Sequence, residues 1–410
     1  MADLAADGDV PPRVEDVVDL SSGDIETQVV AICRRLLGKA DSAWREAPDA
    51  DFEVKVITGG LTNLLYKVSL CCPAADPPTV LVRAFGKAGD AVCDRSMENK
   101  VFQDLSKAGF GPRLFGLFGN GRLEGWLEGR RPLEALEMLQ CSEPDFMCMI
   151  ARKTAELHAR IVPTSIGDMT KVDLWDQIQQ WANLAREVSF PDDPVKAGKL
   201  AQLDLPAVLA EIEHCQRLLP SRLNSDGEAL LAAAGPLESA AHRARRLLYE
   251  KRFCHMDLLS GNIMFSQEAG DVRLIDFEYA AVCYIGVDVA NHFNAVPESY
   301  FNAGNRFEPE TWYPSSLQQL NWLSAYMKER SLVDLELDRE LGEALLQVVA
   351  QFALVAELRW VIWAVVQAGY SPVDFDYLEY ATMRFRAYFL YRKWQETGRR
   401  DQDHREDLLH

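Results

Sequence analysis

Apolar and polar residues alternate along FEVKVI from Phe52, stop at Gly59-Gly60, and alternate again through LLYKVSL from Leu64. A period of two is that of a half-buried strand, so this stretch predicts two strands joined by a tight turn. TVLVRAF from Thr79 predicts a third strand, and PRLFGLF and GRLEGWLEG two more. Before them, Glu26 to Leu37 sets Val29, Val30, Cys33, Leu36 and Leu37 on one helical face. Between the third and fourth strands, Ala91 to Ala108 does the same with Met97, Val101, Phe102 and Leu105. Together these predict a small β-rich domain over residues 25–129.

After Arg131 the period becomes helical. Helices are predicted over Asp145–Arg160, Trp175–Leu184, Leu203–Leu219, Ser239–Tyr249 and Leu317–Lys328, and from Arg339 to about Trp394. PSRLNSDGE from Pro220 reads as a polar surface loop. One stretch interrupts the helices: FCHMDLLSGNIMF followed by VRLIDFEYA, short strands flanking a polar turn. Residues 130–398 therefore form a larger, mainly helical domain. Residues 1–24 read as a flexible acidic tail and 399–410 as a charged one. The fold class is α+β.

The 410 residues carry 43 Lys and Arg against 62 Asp and Glu, a formal charge of −19. No Lys/Arg-rich run relieves that balance, so a nucleic-acid groove is not expected. An anionic ligand would need a placed Arg, Lys or metal ion. The cysteines are nine, irregularly spaced and without a C-x-x-C, which favours a reducing, cytoplasmic setting over a disulfide framework or zinc site. The N-terminus MADLAADGDV lacks a basic, then apolar, leader pattern. Val348 to Val366 is the most apolar stretch, but Glu357 and Arg359 near its middle predict a buried core helix rather than a membrane span.

The turn His255-Met256-Asp257-Leu258-Leu259-Ser260-Gly261-Asn262 carries the clearest chemistry, with Ile275-Asp276-Phe277-Glu278 following it. An Asp in a loop, an Asn five residues on and a second Asp after the next strand form the layout of protein-kinase-like phosphotransferases. Asp257 would accept the proton of an attacking hydroxyl. Asn262 and Asp276 are hard oxygen ligands suited to Mg²⁺ on nucleotide phosphates. His255 would brace the loop. A solvated acidic turn is the bland alternative; its chance agreement with both motifs and their flanking strands is small.

The N-terminal domain offers matching parts. ITGGLTNLLYKV lacks G-x-G-x-x-G, yet Gly59, Gly60, Thr62 and Asn63 could cover phosphates with backbone N–H groups. Taken alone, a plain hairpin turn is the better explanation of the glycine pair. Arg83, on the third strand, stands where a kinase keeps its phosphate-binding Lys, and Glu98, on the next helix, where the paired Glu lies. Two solvated charges are the alternative. A hinge presenting backbone groups to adenine would then fall from Glu124 to Leu127.

With these parts in view, the sequence resembles the choline/ethanolamine kinase family over residues 25–398. The resemblance rests on FCHMDLLSGNIM, IDFEYA, GVDVANHFN and RWVIWAVVQAGYSPVDFDYLEYATMRFRAYF. It implies a protein-kinase-like two-lobe fold and transfer of phosphate from MgATP to the hydroxyl of choline or ethanolamine, the first step toward the corresponding phospholipid. It also implies that Asp257 is the base, that Asn262 and Asp276 hold Mg²⁺, that Arg83 and Glu98 clamp phosphate, and that Asp288, Asn291 and His292 support the pocket. Trp360, Trp363, Tyr377 and Tyr380 recur at helical spacing, and with Tyr279 and Tyr300 they could wall a cation. An aromatic stripe on a late helix is otherwise core.

Two positions depart from the family. Ala295 stands where N-H-F-x-E has its Glu, so one acidic partner is missing or Glu298 replaces it. Met256 stands where Asn is usual. The cage alone and the missing Glu favour choline. Leu259, where choline kinases more often show Gln, and the Y-S-x-x-D-F-D-Y segment favour ethanolamine. Because Leu259 adjoins the catalytic Asp, ethanolamine kinase is the expectation, with a choline or dual-specificity kinase as the alternative. An aminoglycoside phosphotransferase would want more acidic groups, and a non-catalytic binding protein would have lost a ligand or the base. The expected partner is a small amino alcohol. No nucleic acid or membrane is expected, and a homodimer is left open.

Overall fold

In the computed structural model the described residues are 10–57, 63–86, 94–166, 174–219, 239–335, 338–371 and 373–397. They divide into two compact units, Met1–Glu128 with Ser371–Val373 and Gly129–Tyr370 with Asp374–His410.

In the first unit, α1 (Ile25–Leu37) buries Val29, Ile32, Cys33, Leu36 and Leu37, the apolar stripe its sequence supplies. Helix α2 (Ser42–Glu46) is capped by the Asp41 side chain. Strands β1 (Phe52–Ile57), β2 (Asn63–Leu70) and β3 (Thr79–Phe85) precede α3 (Arg95–Lys107), and β4 (Leu114–Phe118) and β5 (Gly121–Gly125) follow it. The sheet runs in the order β1-β2-β3-β5-β4, every neighbouring pair antiparallel. The α3 start is set by Asp94, whose side chain accepts from the Ser96 and Met97 amides.

The expected tail over residues 1–24 needs correction for the part that is described. Arg13 bridges Leu117 of β4 in parallel, and the Val14 amide donates to Leu117 O at 3.0 Å. Val18 is buried, and the Asn120 side chain bonds both its amide and its carbonyl, at 2.9 and 3.0 Å. An edge strand exposes unpaired backbone groups, and this strap satisfies them. Its acidic composition masked the spaced Val14, Val18 and Leu20 that seat it.

In the second unit, β6 (Arg131–Pro132) leads to α4 (Phe146–Arg160), α5 (Leu174–Glu187), α6 (Pro194–Leu203), α7 (Leu205–Leu218) and α8 (Ala240–Leu248). Helix α6 was not anticipated, although Asp193-Pro194 is a cap followed by a first-turn proline. Strands β7 (Lys251–Cys254), β8 (Ile263–Ser266), β9 (Asp271–Leu274) and β10 (Ala281–Tyr284) form two small sheets, β10-β7 and β6-β8-β9. Helices α9 (Ile285–Asn302), α10 (Pro309–Trp312), α11 (Ser316–Glu329), α12 (Arg339–Tyr370) and α13 (Tyr377–Thr397) complete it. The helical stretch expected from Arg339 to about Trp394 is two helices, the first ending at Tyr370, two residues before Pro372 in the sequence.

Helix α12 is the core of this unit and packs against α5, α8, α9 and α13. It is long and apolar enough to cross a membrane, and most of that apolar stretch is buried within the protein. The polar loop expected from Pro220 and the charged C-terminal tail lie outside the described residues.

Gly286, near the start of α9, sits against the Phe352 ring of α12, where an added Cβ would come within 2.2 Å of Cε2. Gly286→Ala should therefore cost about 1 to 3 kcal/mol of stability by overpacking. Denaturant unfolding should show a lowered midpoint at constant slope; an unmoved midpoint would refute the tight contact.

Candidate functional site

The turn after β7 is held by one helix. The Asp288 carboxylate, fully buried on the first turn of α9, accepts the His255 amide on Oδ2 and the Met256 amide on Oδ1, both at 2.8 Å. One turn further, Asn291 Nδ2 donates to Met256 O at 3.1 Å, and His292 Nδ1 donates to Leu258 O at 3.0 Å. Ser299 Oγ accepts the Ser260 amide at 3.1 Å. His158 Nε2 donates to Asp288 Oδ2 at 3.0 Å, with the Tyr326 hydroxyl 2.7 Å from Nδ1. Burial would raise the Asp288 carboxyl, but the His158 bond, the neighbouring His158 and His255 and the His255 amide outweigh it and keep it below its ordinary value. Met256 takes a left-handed φ of 67°, a strained state for a long side chain, with both of its backbone groups bonded by α9.

His255 braces the turn from inside. Its Nε2 donates to Ile275 O at 2.8 Å, and its Nδ1 accepts the Asp257 amide at 3.3 Å. Asp257 projects from this frame. Asn262 Nδ2 donates to both Asp257 O (2.9 Å) and Asp257 Oδ2 (3.1 Å), so Asn262 Oδ1 and Asp257 Oδ1 remain as acceptors. Asp276, at a left-handed φ of 63°, lies close enough to act on Asp257 electrostatically. The Asp257 carboxyl is held well above its ordinary value by burial, then by the negative charges of Glu298, Asp276 and Glu278, with Arg359 pulling the other way. Such crowding of carboxylates calls for a cation, and the donors offered by Asn262 and Asp276 are oxygens, which suits Mg²⁺.

Beside the turn the structure assembles an aromatic group. Tyr279 meets Trp360 edge-on at 5.2 Å and Trp363 at 6.3 Å, and Trp360 meets Trp363 at 5.3 Å. Trp363 in turn meets Tyr377 at 5.8 Å and Tyr380 at 6.3 Å. Polar tips are tied down: Trp363 Nε1 donates to the Tyr279 hydroxyl at 3.0 Å and Trp360 Nε1 to Asn291 Oδ1 at 2.6 Å. Tyr300 is a correction. Its ring packs on Trp312 at 4.9 Å, because it lies at the far end of α9, and no described ring contact joins it to this group.

Sequence reasoning missed Phe375, Arg384 and the ring contacts of Arg359, and it offered Glu298 as a substitute for the missing Glu. Phe375 packs on Tyr377 and Tyr380 at 4.8 and 5.8 Å. Arg359 lies over Trp360 at 4.7 Å and Trp181 at 4.8 Å. Glu298 is buried; its Oε1 accepts the Tyr380 hydroxyl at 2.5 Å and its Oε2 accepts Arg384 at 3.1 Å. Arg384 also faces Glu357 Oε2 at 2.9 Å, and burial pushes Glu357 up to about 8 against the pull of Arg384, aided by Glu298. Ala295, one turn earlier on α9, is buried and brings no charge.

In the first unit, Gly59, Gly60 and Thr62 lie outside the described residues. Asn63 opens β2 and is buried. Arg83 and Glu98 do not pair directly. Arg83 Nε donates to Glu124 Oε1, Arg122 donates to both Glu124 and Glu98, and Arg95 to Glu98, each at 2.7 Å. Arg122 stands directly opposite Arg83 across the β3–β5 ladder and so reaches Glu98 in its place. Glu124 likewise is not a hinge residue: its backbone is in β5, in register with Leu81 and Leu114, and its side chain is in the ion chain. Leu127 lies beyond the strand end, partly buried.

Comparison with known proteins agrees with these motifs. A family model for choline/ethanolamine kinases matches residues 54–389. The chain is 30% identical to a human protein named choline/ethanolamine kinase, covering 94% of this chain and 92% of the relative. It is 31% identical to a probable ethanolamine kinase A of Dictyostelium discoideum, covering 84% and 87%. A solved choline kinase from Cryptosporidium parvum shares the fold at TM-score 0.69 and 24% identity, covering 90% of this chain and 96% of that one. The fold is thus the one shared by solved choline and ethanolamine kinases.

Asp288 fixes the turn, so Asp288→Ala should cost about 3 to 5 kcal/mol, stranding His158 and two buried amides. The low Asp288 pKa gives a sign as well. Its stabilising contribution is present above the unfolded carboxyl value, near 4, and is lost as pH falls through the folded one. Acid unfolding of Asp288→Asn compared with wild type should show a shallower loss of stability below pH 4. Parallel acid profiles would exclude that role.

Proposed function

We propose that this chain, which belongs to the choline/ethanolamine kinase family, transfers phosphate from ATP to the hydroxyl of ethanolamine, with Asp257 as base. The observation that carries the reading is the joint placement of Asp257, pinned by Asn262 and the α9-held turn, and an aromatic group that ends in a buried carboxylate. The substrate would direct its hydroxyl to Asp257 Oδ1 and its ammonium group to the rings of Trp360, Trp363, Tyr377 and Tyr380. Asn262 and Asp276 are the residues that would hold Mg²⁺, whose charge would offset the phosphate oxygens. Arg83 would bear on the nucleotide phosphates, and backbone groups past Glu124, as far as Leu127, at the end of β5 would meet adenine.

Ethanolamine is favoured over choline by the chemistry of the group. A primary ammonium carries N–H donors that need acceptors once desolvated, whereas a trimethylammonium has none. Glu298 and the Tyr380 hydroxyl supply such oxygens next to the rings, which answers the absence of a Glu at position 295. Leu259 beside Asp257 supports the same reading. The product would feed phosphatidylethanolamine synthesis, and a cytoplasmic location accords with the free cysteines among the described residues.

Coupled ADP release measured with each amine in turn tests the proposal. Ethanolamine should give the higher kcat/KM; a higher value for choline would reverse the preference, and no turnover with either would refute the activity. In the same assay Asp257→Asn should fold and lose roughly 10² to 10⁴ in kcat. Near-normal turnover would remove Asp257 as the base.

Glu298→Gln separates the two amines. Losing a charge-assisted acceptor is worth about 1.5 to 3 kcal/mol, so KM for ethanolamine should rise roughly tenfold or more while KM for choline moves little. Equal rises for both amines would show that Glu298 acts only through its charge or its packing, and not as an acceptor.

A further inference from the structure

Two arginines face each other in the sheet of the first unit. Arg83 on β3 and Arg122 on β5 are directly opposed across the ladder, both almost fully buried. Like charges so placed repel, and the cost rises when water is excluded. The sequence resolves this with Glu124, two residues past Arg122 and so on the same face of β5. One atom, Glu124 Oε1, accepts both Arg83 Nε and Arg122 Nε at 2.7 Å. The Arg122 fork then reaches away from Arg83 to Glu98 Oε1 at 2.7 Å, and Arg95 closes the chain on Glu98 Oε2 at 2.7 Å. Phe102 lies under the Arg122 guanidinium at 4.2 Å and Phe85 at 5.5 Å, so Arg122 has a fixed bed. Both carboxyls are held below their ordinary value: burial opposes this, but Arg122, Arg95 and Arg83 outweigh it at Glu98, and Arg83 and Arg122 at Glu124.

We propose that Glu124 is the positioning residue for the phosphate-directed Arg83, and that Arg122 connects it to Glu98 on α3. The familiar strand-to-helix ion pair is here extended into a relay, Arg83–Glu124–Arg122–Glu98. The bond from Glu124 thereby orients Arg83 from the next strand, and α3 is bonded into the same chain through Arg122. Holding Nε aligns the guanidinium plane, which is what a fork needs in order to meet phosphate oxygens. The inference rests on the reading above that Arg83 bears on the nucleotide.

A double-mutant cycle on the full chain tests it, read as KM for ATP at saturating amine and as ADP affinity by calorimetry. Glu124→Gln should raise both about tenfold while leaving the amine KM within twofold. In an Arg83→Met background the same change should move neither by more than twofold, because its effect travels through Arg83. Additive losses in the double variant would overturn the proposal and reduce Glu124 to a packing role. Should Glu124→Gln fail to fold with two arginines stranded, Glu124→Asp keeps the charge but withdraws it from Arg83. It should show the same split between ATP and amine, and an unchanged ATP KM would overturn the proposal. If Arg83→Met alone leaves ATP KM unchanged, the premise about Arg83 falls and the proposal with it, whereas turnover of the amine by wild type would still stand.

Discussion

A single buried carboxylate organises the second unit. Asp288 has no solvent to satisfy it, so it must be met by donors, and the donors it finds are the amides of the turn that carries Asp257. An ionised group buried without partners costs several kcal/mol. That penalty locks the turn to α9, permits a left-handed Met256, and lets His255 reach across to Ile275. Asp257, Asn262 and the start of the aromatic group are downstream of this one arrangement.

Charge is distributed by task. The chain carries −19 overall, and part of that excess is concentrated around Asp257, where Glu298, Asp276 and Glu278 all press on its carboxyl. A region so charged favours cationic ligands, the class to which an amino alcohol and a divalent ion belong. The first unit works the other way: its buried cations are tied by carboxylates into a fixed chain, so positive charge is kept oriented. The ion chain of the first unit thus holds buried cations in a fixed orientation, while the surroundings of Asp257 gather carboxylates.

Much of this was legible in the sequence because it is local. Alternation gave the strands of the first unit, and the spacing from Asp257 to Asn262 and on to Asp276 survives as a real cluster. What escaped detection is non-local. Arg83 and Glu124 are bonded across 41 residues, and Arg384 and Glu298 across 86. No periodicity reports which Glu meets which Arg once strands are in register, so Glu98 was the expected partner of Arg83 and Glu124 a hinge. Tyr300 failed for a similar reason: its type fits a cage, but its position along α9 delivers it to Trp312. The strap over β4 escaped because its acidic residues outweigh its few apolar anchors in composition.

The α9 grip on the turn is made almost wholly through main-chain atoms: the amides of His255, Met256 and Ser260 and the carbonyls of Met256 and Leu258. Main-chain atoms are the same in every residue except proline, so side chains in the turn are released from the duty of holding it. Position 259, which is only partly buried, can then change without unseating Asp257, whereas Met256 is constrained by its left-handed backbone and Leu258 by its burial. Residues on α9 have no such latitude, since there the side chains do the gripping. Divergence within such a lineage would be expected to accumulate in the turn and spare the helix face behind it, leaving a family whose specificity can wander while its reaction stays put.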